Sequence, residues 1–283
     1  MKIITLGKYG ALGNNFFRFI HACAYAMEHK AELFYSDRRN IDKYFKIDSQ
    51  FIRHNKTPWI LNSRFLRSIL RRIDKSPGLV RIVNKMNIYV HDHINRVQKD
   101  EQLALARRKK GSIVFVLRDF RAHSSLEKCV SEMRRAFDIK PDLTENIASE
   151  YVNLREKYKL LLGIHVRRGD YQEWRQGRYF FSDEVYANII HEFITYKKIS
   201  KEDVGVIICS NGAPLIENFS GLNVHYNQRP EEEDLFLMKR CDFILAPPST
   251  FCSMASFMGS VPLYFIEPDE TPEFESRLHI CSY

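Results

Sequence analysis

IITLGKYGALGNNFFRFIHACAYAMEHKAELFY, residues 3 to 35, opens on a short apolar strand, Ile3 to Leu6, and passes through three glycines in GKYGALGN. Helical spacing follows, with Phe16, Phe19, Ile20, Cys23 and Met27 on one face. A second apolar strand closes the stretch at Leu33 to Tyr35. Strand, glycine turn, helix, strand is a βαβ unit. Its helix carries the chain back across the sheet, so the two strands run parallel and the fold class is α/β.

The second half repeats the pattern. Apolar runs at 160–166, 204–209, 243–246 and 261–266 read as buried strands. Helices are expected from Leu143 to Lys157, from Ser182 to about Tyr196, after Pro230 and through about Gly259. In the first half, Ile113 to Leu117 reads as a strand. Ser124 to Glu127 has the spacing of a capping box that opens a helix to about Phe137. RFLRSILRRIDK puts Phe65, Leu66, Ile69, Leu70 and Ile73 on one helical face. Two Rossmann-like domains fit this layout, one over 1–150 and one over 151–283.

The 283 residues are 45% hydrophobic and 28% charged, a globular composition with no run long enough to span a bilayer. The first residues lead into a strand rather than a signal-peptide layout, which predicts a cytoplasmic protein. Six scattered cysteines form no C-x-x-C pair, so buried thiols are expected rather than disulfides or a zinc site. The charge is uneven. Residues 52–110 hold fifteen Lys or Arg against four acids, an excess larger than the +8 of the whole chain. The partner of that segment is anionic: a membrane surface, a phosphate-bearing substrate or a nucleic acid.

Four stretches carry chemistry. In GIHVRRGDY (163–171), Arg167 and Arg168 stand at the carboxyl end of a strand, where parallel sheets bind ligands. Guanidinium forks suit phosphate oxygens, and Asp170 can hold an arginine or His165 in place. The plainer reading is a surface turn with a local ion pair. GKYGALGNN brings Gly10, Gly13 and Asn14 to a helix start, either as a tight turn or for close approach to an anion or sugar. It matches neither the dinucleotide fingerprint nor Walker A. In PPSTF, Ser249 and Thr250 open a helix as an N-cap or a phosphate cradle. In EEEDLFLMKRCD, Asp234 serves the helix dipole or accepts from a guanine edge or ribose. His91-Asp-His93 could ligate a metal, but no third ligand stands near. No D-x-D occurs, so no metal-held nucleotide sugar is signalled. A metal-free enzyme neutralises a diphosphate with arginines and helix N-termini instead.

Together these stretches resemble a known family. GALGNNFFRFIHACAYA (10–26) resembles the G-x-x-G-N-x-x-F signature of bacterial α1,2-fucosyltransferases, glycosyltransferase family 11. HVRRGDY (165–171) resembles the H-x-R-R-x-D motif shared by α1,2-, α1,6- and protein O-fucosyltransferases. DLFLMKRCDFILAPPSTF (234–251) resembles their third region. The resemblance implies a GT-B fold, two Rossmann-like domains facing a central cleft. It implies inverting transfer of L-fucose from GDP-fucose to a glycan, a galactose 2-hydroxyl in surface polysaccharide synthesis, with no cofactor or metal. By similarity, Arg168 or Arg167 contacts the β-phosphate, with Arg168 leading. His165 and Asp234 lie near the guanosine, Ser249, Thr250 and Phe251 near the diphosphate, and Asn14 at the reacting centre. Asp170 orients the motif, and the general base stays open between Asp170, Glu173 and the departing phosphate. Two departures stand out: Tyr9-Gly10 replaces a Gly-Gly, and Ser249-Thr-Phe-Cys-Ser-Met254 lacks the family's two tryptophans. Other readings are a metal-independent GT-B transferase with another linkage or GDP-sugar, and a basic nucleic-acid-binding protein. The basic segment would rest on an anionic membrane, peripherally, or meet a lipid-linked oligosaccharide acceptor.

Overall fold

The structure, a computed structural model, describes residues 1–7, 10–36, 38–48, 54–56, 61, 63–91, 103–268 and 270–281. Tyr9, Asp92 and His93 lie outside the described residues, as do Arg53, Arg96 and Lys99 of the basic segment. The chain divides into two compact units between Asp138 and Ile139. That division keeps the helix Glu145–Lys157 whole in the second unit, where a boundary at 150 cuts it.

The first unit runs β1 (Lys2–Thr5), α1 (Leu12–Glu28), β2 (Glu32–Tyr35), α2 (Arg38–Tyr44), β3 (Phe45–Ile47), β4 (His54–Lys56), α3 (Arg64–Asp74), α4 (Pro77–Lys85), β5 (Ile88–His91), α5 (103–108), β6 (Ile113–Val116), α6 (His123–Glu127) and α7 (Val130–Ala136). β7 (Phe137–Ile139) lies at the boundary and pairs with β3. The main sheet has the order β4-β2-β1-β6-β5 with every pair parallel. Ile3 at its centre faces Leu33 on one side and Val114 on the other.

Helix α1 is buried almost all round, so it has more than the one inner face its spacing suggests. Phe16, Phe17, Phe19 and Ile20 are fully enclosed, and so are Arg18 and His21, while Met27, expected inside, emerges at the last turn. The expected capping box is not formed. The helix starts at His123 with Ala122 before it, and Ser125 Oγ donates to Glu28 on α1 at 2.6 Å. The expected helix is interrupted by a turn at Lys128 and Cys129, between α6 and α7. The side chains that reach α1 are Ser125 and Lys128, both paired with Glu28, rather than the two of the expected box.

Ser63 Oγ caps α3 by accepting from Leu66 N at 3.2 Å. Leu66, Leu70 and Ile73 pack against Ile4, Leu6, Val90 and Phe115. Those three form a straight i, i+4, i+7 stripe, and Phe65 lies one residue round from it. Phe65 is therefore 77% exposed, not on the inner face. Ser76 caps α4, with Pro77 as its first residue.

The second unit runs α8 (Glu145–Lys157), β8 (Leu160–Val166), α9 (Asp183–Lys197), β9 (Val204–Ser210), β10 (Val224–Tyr226), α10 (Glu231–Met238), β11 (Phe243–Ala246), α11 (Thr250–Gly259), β12 (Leu263–Phe265) and α12 (Phe274–Arg277), with short 3-10 turns between. Its sheet is β10-β9-β8-β11-β12, all parallel. Counting strands within each five-stranded sheet, this is the doubly wound order 3-2-1-4-5, and the first unit's sheet has 3-2-1-5-4. The winding direction reverses at β8, so the crevice at its carboxyl end lies between the loops after β8, β9 and β11.

Candidate functional site

Every residue of β8 is buried, and the first two residues beyond it are the half-buried Arg167 and Arg168. The turn they open is fixed from β9. Asn211 Oδ1 accepts from Arg168 N at 2.7 Å, and Ser210 Oγ donates to Val166 O at 2.8 Å. Gly212 permits the approach, because a Cβ there would stand 2.8 Å from Arg168 Cβ. Gly169 follows with φ +56°, a left-handed conformation that glycine adopts without penalty.

The two arginines are held differently. Arg168 points into its own unit. Its Nη1 donates to Phe181 O at 2.8 Å and to Arg167 O at 3.3 Å, and its Nη2 pairs with Asp183. Asp183 is buried at the start of α9 and also accepts from Leu215 N at 3.0 Å. The Arg168 guanidinium also lies over the rings of Phe180 and Tyr186. Arg167 has one charged partner among the described residues, Asp170 Oδ1 at 2.9 Å, whose side chain is 63% exposed. Its Nε is buried without a hydrogen-bond partner. Its guanidinium lies 5.0 Å from the ring centre of Tyr171, whose hydroxyl donates to Pro248 O in the loop after β11.

That loop opens α11. Ser249 Oγ accepts from Phe251 N at 3.2 Å, so it is an N-cap, and Thr250 is the first helical residue. Phe251 packs on His165 with ring centres 5.3 Å apart. Cys252 Sγ meets His165 Nδ1 at 2.9 Å. Burial drives His165 down to about 3, and the Arg167 charge adds to the effect, so the ring is neutral. Burial pushes Tyr171 up to about 12.

Asp234 sits in the first turn of α10 and is 7% exposed, and its Oδ1 has no hydrogen-bond partner. Burial raises its carboxyl from 3.8 to about 7, against the opposing pull of Arg229. A buried carboxylate oxygen left open is a site that a donor group can fill. The second unit therefore gathers Arg167, Arg168, Asp170, His165, Ser249, Thr250 and Phe251 around β8 and β11. Burial pushes the Cys252 thiol up, and the nearby Asp234 charge adds a small part. Asp183 and Asn211 complete the turn and were not singled out from the sequence. The Asn-Gly that ends an apolar run was the one available sign of Asn211.

Gly10, Gly13 and Asn14 belong to the first unit. Gly10 has φ +64°, and a Cβ there would stand 2.7 Å from Asn14 Nδ2, so glycine makes room for the half-buried Asn14. Asn15 beside it is tied away, with Oδ1 accepting from Tyr35 OH at 2.8 Å. Arg18, read from the sequence only as part of the helix, is fully buried. It donates to Gly7 O at 2.9 Å and to Leu6 O and Val116 O, clamping the carboxyl ends of β1 and β6.

No family model matches the chain, and no curated protein matches it in sequence. Solved structures match it in fold over nearly all its length. Fucosyltransferase NodZ from Bradyrhizobium aligns with TM-score 0.60 and 17% identity, over 95% of this chain and 96% of that one. POFUT1 in complex with GDP-fucose gives 0.57 and 12%, over 94% and 96%. Arabidopsis thaliana FUT1, a variant in complex with GDP, gives 0.63 and 15%, over 98% and 73%. The α/β architecture of this chain is the GT-B type seen in those fucosyltransferase structures.

Proposed function

We propose that the protein is an inverting, metal-independent glycosyltransferase that moves L-fucose from GDP-fucose to a glycan hydroxyl. The observation that carries this reading is Arg167. It is a cation at the switch point of a parallel sheet, held by one exposed carboxylate and tied through Tyr171 to the loop before α11. In transfer, the acceptor hydroxyl oxygen bonds to C1 as the bond from C1 to the β-phosphate oxygen breaks; GDP departs with the bonding pair, and the hydroxyl proton passes to Asp170, Glu173 or the departing phosphate. Arg167 and the N–H groups in the first turn of α11 meet the charge that develops on the phosphate. Arg168, engaged with Asp183, holds the turn in place, and Asp170 orients Arg167. Asp234 accepts from the guanine edge, with His165 and Phe251 beside it. Ser249 and Thr250 line the diphosphate, and Gly10, Gly13 and Asn14 serve the acceptor side. Fold likeness to structures solved with GDP or GDP-fucose supports the donor.

The linkage follows from the motif resemblance: a galactoside 2-hydroxyl in a surface polysaccharide, carried on a lipid. The test is transfer from GDP-fucose and other GDP-sugars to a galactoside array, with linkage analysis of the product. Arg167→Ala is expected to lower turnover by about 10²–10³-fold at an unchanged melting temperature, and Arg167→Lys to recover only part of it. Arg168→Ala is expected to lose about 3 kcal/mol of stability, because it strands the buried Asp183. Near-normal transfer by the Arg167→Ala protein sinks the assignment. Preference for another GDP-sugar, or a different linkage, redirects it.

A further inference from the structure

Helices α3 and α4 form a hairpin joined by Lys75 and Ser76, and their outward surface is unlike the rest of the molecule. Phe65 is 77% exposed, Met86 65%, Ile82 57% and Leu79 44%. Leu79, Ile82 and Met86 follow i, i+3, i+7 along and just past α4, so they make one apolar ridge. Arg64, Arg71, Arg72, Lys75, Arg81 and Lys85 are all exposed on the same hairpin, and Asp74 is its one acid. Soluble surfaces scatter single large apolar side chains, but four on one hairpin among six cations is a different composition. Large apolar side chains ringed by Lys and Arg are what a helix carries when it lies in the interface of an anionic bilayer. No helix among the described residues is long and apolar enough to cross a membrane.

We infer that the α3–α4 hairpin docks the protein on an anionic lipid surface, with Phe65, Leu79, Ile82 and Met86 entering the headgroup layer and the six cations meeting lipid phosphates. Charge complementarity selects the occupant. A basic protein would meet six like charges, and a nucleic acid would leave four apolar side chains facing phosphate. The inner stripe Leu66, Leu70 and Ile73 anchors α3 to the sheet core, so the hairpin presents this surface without unfolding.

The full chain is mixed with vesicles of pure phosphatidylcholine and of phosphatidylcholine with phosphatidylglycerol, and sedimented. No sugar donor is needed, so the outcome is independent of the transferase reading. Binding is expected to the anionic vesicles only and to weaken with salt. The double variant Arg71→Ser/Arg81→Ser is expected to lose about fivefold per charge removed. The triple variant Phe65→Ser/Ile82→Ser/Met86→Ser is expected to lose at least about tenfold. All five of these positions are exposed, and unchanged thermal melting confirms that the variants are folded. Binding to neither vesicle overturns the inference. So does anionic binding that the apolar triple leaves unchanged and that an RNA duplex matches, because the surface would then be a general polyanion site.

Discussion

Adjacent guanidiniums at the end of β8 differ in what surrounds them, and so does the carboxylate of Asp234. With a pKa of about 7, Asp234 is half protonated near neutrality before any ligand arrives. Only the ionised form accepts two N–H donors, so GDP binding is expected to strengthen as pH rises through 7 and to release a proton. Calorimetry in buffers of different ionisation enthalpy measures that proton, and Asp234→Asn should bind weakly with no pH dependence. A profile that is flat for the wild type argues against guanine contact. The charged cluster was legible in HVRRGD, and so was its position at a strand end. Which arginine faces outward was not. The answer lies with Asp183 and Phe181 O, which reach Arg168 from a turn thirteen to fifteen residues away. The raised Asp234 was equally hidden, because its cause is burial and sequence spacing carries no measure of burial at a helix start.

Helix α10, which carries Asp234, is held close to the sheet by a glycine. A Cβ on Gly163 in mid-β8 would stand 2.8 Å from Met238 Sδ and 3.1 Å from Cys241 Sγ. Gly163→Ala is expected to cost about 1–2 kcal/mol, read as a lower denaturant midpoint, since the methionine can yield part of the space. It should weaken GDP binding as well, because the shift moves the helix bearing Asp234. The buried strands were legible as apolar runs, and α1 by its period. Less was legible where tertiary bonds override local signals. The Ser124–Glu127 spacing signalled a cap, yet Ser125 bonds to α1 instead. Phe65 matched a helical face only because a five-residue apolar set spans more arc than the core stripe admits. Helix α4 and β5 escaped notice because a short amphipathic helix, followed by a four-residue strand, gives too few periods to read.

Among the described residues, each unit contains one deeply buried histidine that stays neutral. His165 lies against Cys252 in the second unit, and His21 in the first accepts from Ala122 N at 3.1 Å. Burial lowers both to about 3 from the ordinary 6.5. Unfolding lets each ring take a proton that the folded state refuses below pH 6.5. Stability therefore falls as pH drops from 6.5 toward 3, by about 1.4 kcal/mol per pH unit for each histidine. Melting temperatures across that window are expected to fall steeply, and His165→Asn should flatten the slope of the second unit alone. An unchanged slope in that variant would assign the acid sensitivity elsewhere.

Strand order also governs when the protein can be assembled. In the first unit the innermost strand, β1, pairs with β6, so Ile3 waits for Val114. A chain emerging from the ribosome holds the apolar edge of β1 open until more than a hundred residues have been made. Each central strand closes one edge early, β1 on β2 and β8 on β9, but the second edge of β8 closes sooner, Leu162 meeting Phe243 of β11. Synthesis therefore exposes the amino-terminal half to premature association for the longer time, and a nascent-chain chaperone would find its substrate there.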